Sequence, residues 1–227
     1  MPDVSRRVRT CILAALLLSV AAWGTANEAR AIAPSGLEDQ SLEDITCRRN
    51  HVIHLYQQAE DGDPQSQFEL AMALAEGSCV EQDPEEALHW LTRAADTRHA
   101  SASYHLAEII MHHDTGSEGN ARALNYFTMA AEQGHVMAQH RLGVLRLWNA
   151  SSEEDRHHGL YWLGAAASSG HGFSAASLGM IYGKGMHGVL QDTCMALDWY
   201  SAAQELRFHD MADFIAEFID VHAEACR

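Results

Sequence analysis

The residues in this chain best suited to chemistry are its cysteines and histidines. Five cysteines and 15 histidines occur among 227 residues. Cys11 lies in an apolar run near the N-terminus. The other four form two pairs, Cys47 with Cys79 and Cys194 with Cys226, each 32 residues apart. An even set of thiols in an exported chain points to disulfides. The midpoint of the first pair is residue 63, in the turn-like run Asp61-Gly62-Asp63-Pro64. That of the second is residue 210, beside Phe208-His209. In an antiparallel helix pair, residues equidistant from the turn stand opposite each other. The spacing therefore predicts bridges Cys47–Cys79 and Cys194–Cys226, with alpha carbons within the ~6 Å that a disulfide needs.

The histidines do not assemble into a metal site on paper. His99, His135 and His171 recur every 36 residues. Packed helical repeats stand about 10 Å apart, whereas zinc ligands converge within about 2 Å of one ion. The three are expected to be turn residues. His51 and His54 lie at i, i+3 on an expected helix but have no further Cys or His at ligand spacing. His112-His113-Asp114 and Arg156-His157-His158 are placed in loops. No metal and no cofactor is expected. No G-x-S-x-G or H-E-x-x-H motif occurs. A Ser-x-x-Lys motif is impossible, because Lys184 is the only lysine and Ile181 stands three residues before it. An enzyme, such as a periplasmic hydrolase, is the reading that the residues support least, and no catalytic residue is assigned.

The elements that position these residues follow from self-similarity. Leu70-Ala71, Leu106-Ala107, Leu142-Gly143 and Leu178-Gly179 recur at a spacing of 36, as do Ala94-Ala95, Ala130-Ala131 and Ala166-Ala167. Trp90, Tyr126 and Trp162 keep the same register, as do Ala87, Ala123 and Gly159. A fixed period of this length is the signature of a repeat architecture. Each unit reads as two helices. Asp83-Pro84-Glu85-Glu86 is a helix start, with Asp as cap, Pro in the first turn and Glu placed to reach back. Paired alanines let neighbouring helices approach closely. No unit can bury its apolar face alone, so stacking supplies the core.

Several runs carry a family resemblance. Leu178-Gly179, Tyr182, Gly183, Gly185, Val189, Asp192, Ala196 and Trp199-Tyr200 form the fullest one. Leu70, Gly77, Val80, Asp83, Ala87, Trp90 and Ala94-Ala95 form another. The chain resembles the Sel1-like repeats, relatives of tetratricopeptide repeats, over about residues 47–222. The resemblance implies an all-α, right-handed α/α solenoid of about four 36-residue helix-turn-helix repeats. Capping helices are expected near residues 47–60 and 210–224. Units two and three lack the glycine loop. The run Gly77-Ser78-Cys79-Val80-Glu81-Gln82-Asp83 is also similar to the MotX-type proteins of sodium-driven flagellar motors, which implies a structural role in an envelope machine.

In a tetratricopeptide-like array, the first helices line the concave surface. A stripe on those helices carries Phe68 and Met72, Tyr104 and Met111, His140, Val144 and Leu147, then Met180. Methionine and aromatic side chains exposed at helical spacing would make an adaptable groove for a protein partner.

The N-terminus completes the expectation. Arg6, Arg7 and Arg9 precede a mostly apolar run from Cys11 to Trp23, too short for the about 20 residues that span a bilayer. Gly24-Thr25-Ala26 and Ala29-Arg30-Ala31 are small-residue cleavage sites. Residues 1–31 therefore read as a signal peptide cleaved after Ala26 or Ala31, residues 32–46 as a linker, and residues 47–227 as the repeat domain. Removing residues 1–31 leaves 11 basic and 29 acidic residues, a formal charge of −18. So acidic a body repels nucleic acid and anionic lipid. The expected protein is a periplasmic interaction scaffold of the Gram-negative envelope. Its partner is another protein, periplasmic or envelope-associated, with no nucleic acid and no membrane insertion once the signal is removed.

Overall fold

A computed structural model describes residues 51–114 and 116–226. The expected signal peptide, the linker and Cys47 lie outside the described residues. Among these, all regular structure is helical. Residues 51–60 form α1. There follow α2 (Pro64–Glu76), α3 (Pro84–Asp96), α4 (Ala100–His113), α5 (Ser117–Glu132), α6 (Val136–Trp148), α7 (Glu153–Ser168) and α8 (Gly172–Lys184). A short 3-10 turn (Met186–Gly188), α9 (Thr193–Glu205) and α10 (Ala212–His222) complete the series. The all-α repeat fold expected from the 36-residue period is what the structure shows. The chain divides into two compact units that meet within α5, between Tyr126 and Phe127.

The helix starts explain the period. Asp63 caps α2, its carboxylate accepting from the Ser66 amide. At the same register His99 caps α4 and His135 caps α6, each Nδ1 accepting from the amide three residues on, at 3.2 and 3.3 Å. His171 stands before α8 in the same extended conformation but makes no side-chain cap bond to the backbone. The second helices start on acids or hydroxyls. Asp83 accepts from the amides of Glu85 and Glu86, and Asp192 from those of Cys194 and Met195. Each bond satisfies an amide that the helix itself leaves without a partner. Glu86 does not reach back to the cap; its carboxylate accepts from Trp90 Nε1 at 3.2 Å. A reciprocal box occurs instead at Ser152 and Asp155, at the start of α7.

Glutamines close the helix ends. Buried Gln67 and Gln139 donate to the carbonyls of Ala59 and Ala131, at the end of the preceding second helix. In the two repeats that keep the glycine loop, Gln82 and Gln191 donate to the carbonyls of Ala75 and Gly183. The loops turn on Gly77 (φ 72) and Gly185 (φ 65), a left-handed conformation that glycine adopts without a Cβ penalty.

In the first unit, α2 packs on α3 and α3 on α4. Leu70, Leu74, Trp90, Leu91 and Leu106 are buried around Ala94 and Ala95, both 0% exposed. In the second unit α6 through α10 pack in sequence, burying Leu163, Leu178, Tyr200 and Ile215. Each such large side chain contributes about 1.5–3 kcal/mol when fully buried. A Cβ on Gly143 would lie 2.9 Å from the Gly159 carbonyl, so α6 and α7 touch backbone to backbone at these two positions.

Two loop placements change. His112 and His113 belong to the last turn of α4, and Arg156, His157 and His158 to the first turns of α7. The apolar period of α4 runs on through Ile110, and the Ser152 cap starts α7 earlier than its charged residues suggest.

Candidate functional site

The stripe of first-helix residues is only partly a surface. In the first unit, Phe68, Met72, Tyr104 and Met111 are half-buried. The Phe68 ring lies 5.1 Å from that of His99 and 5.6 Å from that of His105, both contributed by the next repeat. Phe68 therefore forms part of the joint between repeats as well as of the outer face. His99 ties the same joint with a hydrogen bond. Its Nδ1 accepts from the backbone, so Nε2 carries the proton and donates to Gln65 Oε1 at 2.9 Å. Gln65 in turn donates to Glu69 at 2.6 Å.

In the second unit, Met180 is half-buried and Val144 packs on the core. Leu147 and His140 leave the surface altogether, at 3% and 7% exposure. Leu147 turns inward because Gly159, on the facing helix, has no side chain in its way. His140 turns inward because it finds a hydrogen-bond partner there. Its Nδ1 lies 2.8 Å from Oγ of Ser174, a residue that is 0% exposed. The same Oγ lies 2.7 Å from Nδ1 of His171. Burial, then His171 and Arg141, push the His140 imidazole down to about 4. Burial also lowers His171, and lowers His99 against the opposing pull of Asp63 and Glu69. The sequence placed the repeating histidines at turns. Their role as caps could have been read from the column itself, because Asp63, a standard capping residue, occupies it in the first repeat.

Cys194, in the first turn of α9, is joined to Cys226, beyond the end of α10, with alpha carbons 5.4 Å apart. Cys79 is exposed, with φ 66, in the loop between α2 and α3. Its expected partner Cys47 lies outside the described residues. His51 and His54 are both exposed on α1. Among the described residues, no group of three or more His, Cys, Asp or Glu is placed to hold a metal ion. None of the described helices is long and apolar enough to cross a membrane.

Comparison with known proteins agrees with the repeat geometry. The Sel1 repeat model matches residues 64–96, 100–135, 136–171 and 173–206. Each of the first three matched segments covers one first helix and one second helix, and the last covers α8 and α9. Among solved structures, the chain is similar to a Sel1 repeat protein from Oxalobacter formigenes, at 27% identity and a TM-score of 0.62, over 75% of this chain and 49% of that one. It shares its fold with c5321, a protective antigen of uropathogenic Escherichia coli strains with an SLR fold, at 24% identity and a TM-score of 0.56, over 77% of this chain and 44% of that one. The chain thus spans about half the length of these two proteins. No curated protein matches it significantly. With four consecutive repeats covering more than half of its length, the chain belongs to the Sel1 repeat family.

Proposed function

We propose that this protein is an exported interaction scaffold of the Gram-negative periplasm, which holds another envelope protein against the outer faces of its first helices. The observation that carries the reading is the run of four consecutive Sel1 repeats, since such repeats mediate protein–protein contact. The signal-like residues 1–31 and the disulfide between Cys194 and Cys226 support export, because structural disulfides persist in oxidising compartments. In this reading Cys47 bridges to Cys79 as well. In the first unit the face consists of Met72, Tyr104 and Met111, with Phe68 at its inner edge; in the second, Met180 holds the corresponding position. The acidic body, formally −18 after residue 31, disfavours nucleic acid and anionic lipid as partners.

Fractionation with intact-mass measurement tests the export. The expected product begins at Asn27 or Ile32, lies in the periplasm and carries no free thiol. Full-length protein in the cytosol with reduced cysteines would refute it. A second reading, a structural part of an envelope machine such as a flagellar motor ring, rests on the run from Gly77 to Asp83. Loss of swimming on deletion, with the protein localised at the motor base, would favour that reading.

A further inference from the structure

The joint between the third and fourth repeats holds a cluster that the interaction role does not use. Ser174 of α8 sits between two imidazoles, with Oγ 2.8 Å from His140 Nδ1 and 2.7 Å from His171 Nδ1. The two rings stand 4.9 Å apart, and the Phe173 ring lies 5.1 Å from that of His140. Phe208, ahead of α10, packs in turn on Phe173 at 5.7 Å.

A serine hydroxyl has one proton to give. It donates to one ring nitrogen and accepts from the other, so one ring carries its proton on Nδ1 and the other on Nε2. A first proton taken from solvent can enter without breaking either bond, though on His140 it places a cation in a buried site. A second makes both Nδ1 atoms donors and leaves the hydroxyl proton without its acceptor. It also sets two cations side by side. The facing groups offer no relief. Around α6, α7 presents Gly159 and Leu163, and α8 presents Ser174 and Phe173. The charged groups that bear on His140 are His171, from the turn before α8, and Arg141, from its own helix. Both oppose its protonation.

We propose that His140, Ser174 and His171 form an acid-sensitive latch, which holds α8 to α6 while the rings are neutral and releases the last repeat when both are protonated. This regulation goes beyond the scaffold role and stands whether or not a partner binds the first-helix face. The low affinity of His140 for protons sets the window. A group whose folded value is depressed contributes fully above its unfolded value, about 6.5. That contribution declines as pH falls below 6.5 and is gone below about 4. The joint between the first and second repeats is an internal control. There Phe68, which cannot titrate, holds the register position of His140, while His99 stands where His171 does, so the difference between the two joints isolates His140.

Amide exchange on the mature, disulfide-intact chain tests the latch. The readout is the protection of α8 relative to α2 between pH 6.5 and 5, in the wild type and in His140→Phe. Phe is the residue the chain itself uses at position 68. In the wild type α8 should lose about tenfold more protection than α2, as expected for about one proton of linkage over this range. In His140→Phe that difference should vanish. Parallel losses in α8 and α2, or an unchanged difference in the variant, would overturn the latch. Should His140→Phe fail to fold, ring titration of wild-type His140 by NMR decides. A depressed midpoint supports the latch, and one near 6.5 refutes it.

Discussion

Leu147 lies so close to Gly159 that a Cβ on the glycine would stand 2.6 Å from the leucine Cγ. At the same register the first repeat carries Ala75 and Ala87. The two repeats thus fill the space between first and second helix with different side chains. Gly159→Ala should cost about 1–3 kcal/mol through overpacking, and Leu147→Ala about 2–5 kcal/mol through the cavity it leaves. The double variant, which recreates the pair of the first repeat, should cost clearly less than the sum. Urea denaturation of the three variants measures the coupling.

The bridge from Cys194 to Cys226 fastens α10, which has a packed neighbour on one side only among the described helices. Closing a loop of this length should contribute roughly 3–4 kcal/mol on the chain-entropy model. Cys226→Ser should lower the urea midpoint accordingly and expose α10 to limited proteolysis before the other helices. Equal protease resistance with and without the bridge would show that α10 is held by its apolar face alone.

His99 does for α4 what Asp63 does for α2. His99→Ala should cost about 0.5–2 kcal/mol, the usual loss for a removed cap. His99→Asp should recover the cap bond while losing the tie to Gln65. The pH dependence separates the two residues. Burial lowers His99, so its neutral, accepting form persists below the usual histidine value of about 6.5, while the contribution of the cap to stability declines as pH falls below that value. An aspartate at this position should go on capping until the carboxylate range near 4. Thermal denaturation from pH 7.5 to 5 should therefore show a smaller decline for His99→Asp than for the wild type.

Much of this fold was legible from the 36-residue period, because stacking forces the small and large core residues into fixed columns. Asp83 read correctly as a cap, since an acid before a Pro has few other uses there. The spacing of Cys194 and Cys226 reflects a hairpin midpoint, which needs no tertiary information. The stripe was less legible. Leu147 sits seven residues after His140, and whether such a position faces inward depends on what the facing helix supplies. Here that is a glycine 12 residues further on. The burial of His140 was invisible for the same reason, since its partner Ser174 lies a full repeat away.

The central claim is that the first-helix faces hold a protein partner. Site-specific photocrosslinking in intact cells tests it most directly, with p-benzoylphenylalanine placed at Met72 or Tyr104, and at Tyr161 as control. Tyr161 lies on α7, a second helix, and is 65% exposed. The account predicts a discrete protein adduct from positions 72 and 104 and none from 161. Adducts from 161 alone, or none from either first-helix position, would contradict it.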